Sequence, residues 1–303
     1  MLINSVNVLQ LAHSRSKPDL QARLSKKVLF STFFIASILM AQTVLSSQTV
    51  LSSQTELLSQ PLNPKNSQSN CPELTDFQPE QIHKGRVKWL PDGDTIHTQK
   101  GFKLRLLHIN APELNPTNSK PAEPFAKSSL NKLKELTTDP TIYWIYDKQQ
   151  TDRYKRKLVL AFNQQGQFIN YQLVASGLAQ TLVVPPNQQY WQCIQQAEQM
   201  ASKTGKGLWA HNAKTIKSSK SLNKASGFQQ VDGVISEIVD SKKYRWLILD
   251  DFLWVGIKRK DMHYFKPDSL KYRIGDTLRL RGYVYKSYGK IRMNLRHPAN
   301  LLP

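Results

Sequence analysis

Cysteine is almost missing from this chain: Cys71 and Cys193 are the only two in 303 residues. No Cys-x-x-Cys step and no histidine pair at ligand spacing accompanies them, which excludes a structural zinc site. In an exported protein such a pair can close a disulfide that ties an N-terminal arm to a helix; the alternative for Cys193 is a small buried apolar side chain. Acidic residues are also scarce, with 22 Asp and Glu against 42 Lys and Arg, a formal net charge of +20. A field of that sign favours polyanions, so nucleic acid or an anionic membrane surface is the candidate partner, and no protein partner is implied. Glycines number only 13 and hydrophobic residues make up 40%, the composition of a folded soluble protein, long enough for two domains.

Long apolar runs are absent too, apart from residues 28–45, which follow Lys26 and Lys27. This core is short, is interrupted by Ser, Thr and Gln, and offers Ala41 for cleavage, so residues 1–45 read as a signal peptide and the chain as exported, periplasmic or secreted. An uncleaved N-terminal anchor, and hence a membrane tether through residues 28–45, fits the same residues, as does a misplaced start.

Residues 42–60 repeat Gln-Thr-Val-Leu-Ser-Ser with variation, too short a unit to build a core, so residues 46–82 read as a low-complexity tether. From His83 the pattern changes. Strand-like runs occur at residues 86–90, 95–98, 103–109, 142–146 and 158–162, and helical spacing at 125–136, 169–175 and 190–201, the last two stopped by Gly177 and Gly205. The expected fold is mainly β (α+β): a five-stranded OB-type barrel with helices over residues 83–210. Residues 211–226, with four lysines among Ser and Asn, read as a basic linker, and five further strand-like runs in 227–303 predict a second small OB-like barrel.

The chemistry concentrates in Asp92-Gly93-Asp94-Thr95, in Arg105 to Glu113, and in Asp152-Arg153-Tyr154-Lys155-Arg156. Oxygen ligands beside two arginines can hold a hard divalent cation against a phosphodiester, because guanidinium forks match phosphate geometry. If Lys100-Gly101 is a two-residue turn, Asp94 lies across from Leu107 and Asp92 across from Ile109, near Asn110 and Glu113. Taken alone, Asp92-Gly93-Asp94 reads first as an ordinary acidic turn, and Arg105 and Arg156 read equally as surface ion-pair partners.

Together these segments, with Asn170-Tyr171-Gln172-Leu173-Val174, Gly177-Leu178-Ala179 and Gly207-Leu208-Trp209, resemble the staphylococcal-nuclease-like (thermonuclease) family in order and spacing from about Gly85 to Trp209. The resemblance implies that Asp94, Asn110 and the carbonyl of Ala111 ligate calcium with Asp92 close by. It also implies that Glu113 orients or deprotonates water and that Arg105 and Arg156 grip the phosphate. Cleavage of DNA and RNA to 3′-phosphate ends is the implied outcome. Three departures stand out: Asn110 replaces an aspartate, which removes one charge from the ligand set; Lys155 stands where the family often has Gly; and Val183 and Pro185 stand where tyrosines meet the nucleotide. Tyr154 and Arg153 remain as substrate contacts.

In the C-terminal region, Arg279, Arg281, Tyr283 and Tyr285 alternate with apolar residues, and Arg292 follows on the next strand. One face reads as core and the other as a basic, partly aromatic surface suited to nucleic acid, or simply as a solvated face. Three functions follow in order: a calcium-dependent exported endonuclease; a non-catalytic nucleic-acid-binding protein whose metal site has decayed at Asn110; and an envelope-binding scaffold.

Overall fold

The computed structural model describes residues 71–114, 121–214, 216–222 and 227–302. The apolar run 28–45 and the repeat at 42–60 lie outside the described residues. Among the described residues no helix is long and apolar enough to cross a membrane.

The first unit is a closed barrel of five strands: β1 (His83–Trp89), β2 (Thr95–Thr98), β3 (Lys103–Leu106), β5 (Thr141–Thr151) and β6 (Lys157–Asn163), in the order β1-β2-β3-β6-β5. All neighbours are antiparallel except β3 and β6. Ile96, Leu104, Leu106, Ile142 and Trp144 fill the barrel. In β6, Val159, Leu160, Ala161 and Phe162 are all fully buried, because one face looks into the barrel and the other is covered by α2 (Ile169–Ala175). An unbroken apolar run is what a strand covered on both sides requires.

The helices bury a stripe at three- and four-residue spacing. In α1 (Ala126–Leu136) it comprises Ala126, Leu130 and Leu133, and in α3 (Trp191–Lys203) Cys193, Ile194, Ala197 and Ala201. Gly177 ends α2 at φ +69°, with its N–H donating to Val174 and that of Leu178 to Leu173. That is a Schellman closure, and a Cβ at 177 would collide with the Lys206 carbonyl, so only glycine serves. Cys71 and Cys193 are disulfide-bonded, with Cα atoms 5.1 Å apart, which pins the N-terminal arm to α3.

The hairpin between β2 and β3 differs from the two-residue turn expected. Thr95 pairs with Arg105, Ile96 with Leu104 and His97 with Lys103, and the Thr98 N–H bonds to Phe102. The loop is therefore Gln99-Lys100-Gly101, with Gly101 at φ +82°. Three-residue hairpins place a left-handed residue at this point. The slip of one moves Asp94 opposite Leu106, whose N–H donates to the Asp94 carbonyl. The long strand expected at 103–109 also breaks, because His108 sits at φ +62° and turns the chain into β4 (Ile109–Asn110), which pairs with β7 (Gln180–Thr181).

The second barrel repeats the circuit of the first. β9 (Gly227–Asp240), β10 (Tyr244–Leu249), β11 (Leu253–Lys258), β13 (Lys290–Asn294) and β12 (Thr277–Ser287) are joined in that order, and β12 returns to β9. The parallel junction is again between third and fifth strands, β11 and β13. Leu247, Leu249, Val255, Ile257, Leu280 and Met293 form its core. The segment expected to be a basic linker is partly built in. Strand β8 (Ile216–Ser218) runs parallel to β9, and Ser219 and Leu222 are fully buried, so one isoleucine and one leucine among the lysines suffice to fasten it.

Candidate active site

Asp94, just before the start of β2, is buried, 4% exposed, and is held from three sides. Its Oδ2 accepts from the Ala111 N–H at 2.8 Å and from Arg105 Nη2 at 3.0 Å, and its Oδ1 accepts from the Thr95 hydroxyl at 3.2 Å. Asp92 Oδ1 accepts from the Asp94 N–H at 3.0 Å, closing the acidic turn. Between them Gly93 packs against Ser129 and Ala111 so closely that any side chain would clash. Burial raises the Asp94 carboxyl to about 7; Arg105 opposes that shift, and Asp92 and Glu113 add to it. Glu113 is pushed up for the same reasons, burial first and Asp92 second. In both carboxyls the loss of hydration outweighs the attraction of Arg105.

Asn110 is buried and bonded at both ends of its amide: Oδ1 accepts from the Tyr283 hydroxyl at 2.7 Å, and Nδ2 donates to the Ala111 carbonyl at 3.4 Å. Tyr283 comes from β12 of the second barrel, and burial holds its phenol above the ordinary value while Arg105 pulls it down. Among the described residues no three His, Cys, Asp or Glu side chains gather closely enough to cage a metal. The donors present are all oxygens, two from carboxylates (Asp94, Asp92) and two from carbonyls (Asn110, Ala111). A set of that chemistry would suit a hard cation.

Arg105, Glu113, Tyr154, Arg153, Arg156, Tyr283 and Tyr285 line one cavity of about 1050 Å³ between the barrels. Arg156 Nε is anchored to Asp152 Oδ2 at 2.8 Å, and Asp152 Oδ1 takes the N–H groups of Tyr154 and Arg156, so this one carboxylate shapes the loop. Asp152 lay within the sequence motif, but its role is visible only as the folded loop. Arg153 Nη2 donates to the Tyr154 hydroxyl at 2.6 Å, and Tyr154 is 61% exposed at the rim.

The three arginines of the expected basic face have separate surroundings. Arg281 is 2% exposed and forks onto Glu198, so it is corrected from a nucleic-acid contact to a buried bridge between the barrels. Arg279 faces Asp232 across β9. Arg292 lies on the outer face of the second barrel against aromatic rings. For Arg281 the reason is that strand alternation gives the side of a residue, not what covers that side. Val183, at a family tyrosine position, is buried with its N–H and carbonyl both bonded to the Asn300 amide, at 3.0 and 2.9 Å. The second barrel thus covers that position and brings Tyr283 to the site.

Residues 103–211 match the family described as staphylococcal nuclease homologue. The thermonuclease of Staphylococcus hyicus is 34% identical over 135 residues, 44% of this chain and 78% of that protein. The thermonuclease of Staphylococcus intermedius is 32% identical over 126 residues, 41% of this chain and 74% of that protein. The family match ends before the second barrel begins. With about a third of the residues identical over most of the length of both relatives, the chain belongs to the staphylococcal-nuclease-like (thermonuclease) family.

Proposed function

We propose that the protein is an exported, calcium-dependent endonuclease that hydrolyses phosphodiester bonds of DNA and RNA with little sequence specificity, leaving 3′-phosphate ends. The carrying observation is that Arg105, Arg156 and Glu113 line one cavity, with Arg105 locked to the buried Asp94. The Cys71–Cys193 disulfide supports export.

Glu113 accepts the proton of the attacking water, and its raised pKa makes it a stronger base than an ordinary carboxylate. Arg105 and Arg156 place fixed donors where negative charge accumulates on the phosphate oxygens as the bond to the 5′ oxygen breaks. Asp94 holds one arginine and Asp152 the other. Asp94, Asp92, Asn110 and the Ala111 carbonyl would hold calcium, which when bound supplies Lewis-acid polarisation of the same phosphate. Tyr154 and Arg153 at the rim, and Tyr283 from the second barrel, supply substrate contacts.

The test is digestion of denatured DNA by the purified chain with calcium and then with chelator. Cleavage should start with the first and stop with the second, and products should resist polymerase extension until treated with phosphatase. No cleavage at millimolar calcium would leave a nucleic-acid-binding protein with a degenerate site. The engagement of Asn110 Oδ1 by Tyr283 favours that second reading, so Asn110→Asp belongs in the same assay. The added charge should lower the calcium needed for half-maximal rate.

A further inference from the structure

The outer face of the second barrel carries a cluster that the cleft does not use. Leu247, Leu249, Val255 and Met293 point into the barrel, so alternation turns Tyr244, Trp246, Trp254 and Arg292 outward. Tyr244 stacks on Trp246 with ring centres 4.8 Å apart, and Trp246 meets Trp254 edge-on at 5.8 Å. The Arg292 guanidinium lies 4.9 Å from the centre of Trp246 and 5.5 Å from that of Tyr288. Lys290 lies 5.1 Å over Trp254, and Lys258 lies 6.0 Å over Tyr244. Trp246 rests on the bare backbone of Gly256, where a Cβ would come within 2.7 Å of the indole.

Exposed arginines and lysines commonly face carboxylates. Here Arg292, Lys290 and Lys258 face rings instead and form no ion pair among the described residues. Tyr288, 91% exposed at the β12–β13 hairpin, is a large aromatic held out in solvent. The cluster is also continuous with the cleft. Arg292 pairs in register with Trp254 on one side and Tyr285 on the other, and the Tyr285 hydroxyl accepts from Asn294 at 3.1 Å. Tyr285 and Asn294 line the cavity that holds Arg105 and Glu113.

We propose that this strip is a binding track for single-stranded DNA or RNA that extends the cleft, with bases stacking on Trp254 and Tyr288 and backbone phosphates meeting Arg292, Lys290 and Lys258. The proposal rests on the cleft's accepting a polynucleotide and narrows its substrate to unpaired strands. In a duplex each base face is already stacked on its neighbours, whereas an unpaired strand offers those faces to aromatic side chains. Interleaved cations follow the backbone without reading sequence.

The experiment is fluorescence anisotropy on the full chain in chelator, so that no strand is cut. The ligands are labelled oligo(dT) and oligo(rU) of about twenty nucleotides, a thymidine dinucleotide, and a duplex of the longer length. Trp254→Ala and Tyr288→Ala, which change no charge, should each weaken both long single strands roughly tenfold, the share of one stacked base. Dinucleotide and duplex affinities should stay within about twofold, since neither ligand stacks along the strip. Arg292→Gln should lower the salt slope of long-strand binding by about one. Tyr288→Ala guards against a misfolded variant, since Tyr288 is 91% exposed. Long-strand affinities like the parent's in both aromatic variants, or an equal loss for duplex, would overturn the track. A chain that cuts nothing with calcium, yet loses strand affinity in these variants, keeps the track and loses the nuclease reading. A chain that cuts, with variants that bind as the parent does, loses the track alone.

Discussion

Arg281 of β12 and Glu198 of α3 form a two-pronged ion pair between the barrels, Nη1 to Oε1 at 2.5 Å and Nη2 to Oε2 at 2.6 Å, with side chains only 2% and 7% exposed. Glu198 Oε1 also accepts the Thr181 N–H at 2.8 Å, and Thr181 pairs with Ile109 beside Asn110. The second barrel is thereby fastened to β7, the strand paired with the one that carries Asn110. Glu198→Ala leaves a buried guanidinium without its partner and should cost about 3–5 kcal/mol in urea unfolding. Replacing both residues by methionine should cost less than Glu198→Ala, because no charge is then stranded.

Arg156 is held by Asp152 on the wall of the cleft. Arg156→Ala should lower the rate of calcium-dependent DNA cleavage by about a hundredfold or more, the loss typical of one donor aimed at transition-state charge. Asp152→Ala should fall in the same direction by freeing the guanidinium. Full activity in Arg156→Ala would remove that residue from the mechanism.

His297 is buried, and burial pushes its imidazole down to about 4 while Nδ1 accepts the Ala299 N–H at 3.2 Å. A depressed base stays neutral in the folded chain while the unfolded chain takes up a proton near its ordinary value of 6.5. Stability is therefore full above that value and falls as pH drops toward about 4. His108, buried and lowered to about 4, acts in the same direction. His297→Asn keeps an acceptor for the cap and removes one titration, so the slope of urea-unfolding free energy across this range should shrink. An unchanged slope would show that His297 does not contribute.

Lys155 sits at φ +62°, a left-handed conformation that costs a side-chain-bearing residue about 1–2 kcal/mol. Lys155→Gly removes that strain at the expense of a more flexible unfolded chain, for a net gain of about 0.5–1 kcal/mol. Thermal unfolding of the two proteins under one set of conditions measures it, and a lower melting temperature in the variant would contradict the strain.

The positions of strands and helices were legible because each leaves its own period: Ile96, Leu104 and Leu106 mark alternating strands, and Leu130 and Leu133 a helical stripe. The register of the β2–β3 hairpin was not legible. Gln99-Lys100-Gly101 admits a two- or a three-residue loop, and only the closing bond between Thr98 and Phe102 selects the latter. The break at His108 was hidden for a related reason, since no glycine announces its positive φ.

By itself the amino-acid order determined the strand and helix runs of the two barrels, because periodicity is a local property, whereas the acidic turn and the arginines were joined into one motif only by the resemblance to a family. Only tertiary packing decided that the basic face of β12 is split. Arg281 disappears into an ion pair with Glu198, 83 residues distant, while Tyr283, two positions on, reaches Asn110, 173 residues away. Burial and charge pairing arise from what a second surface brings to meet a side chain, and no spacing along the chain records that meeting.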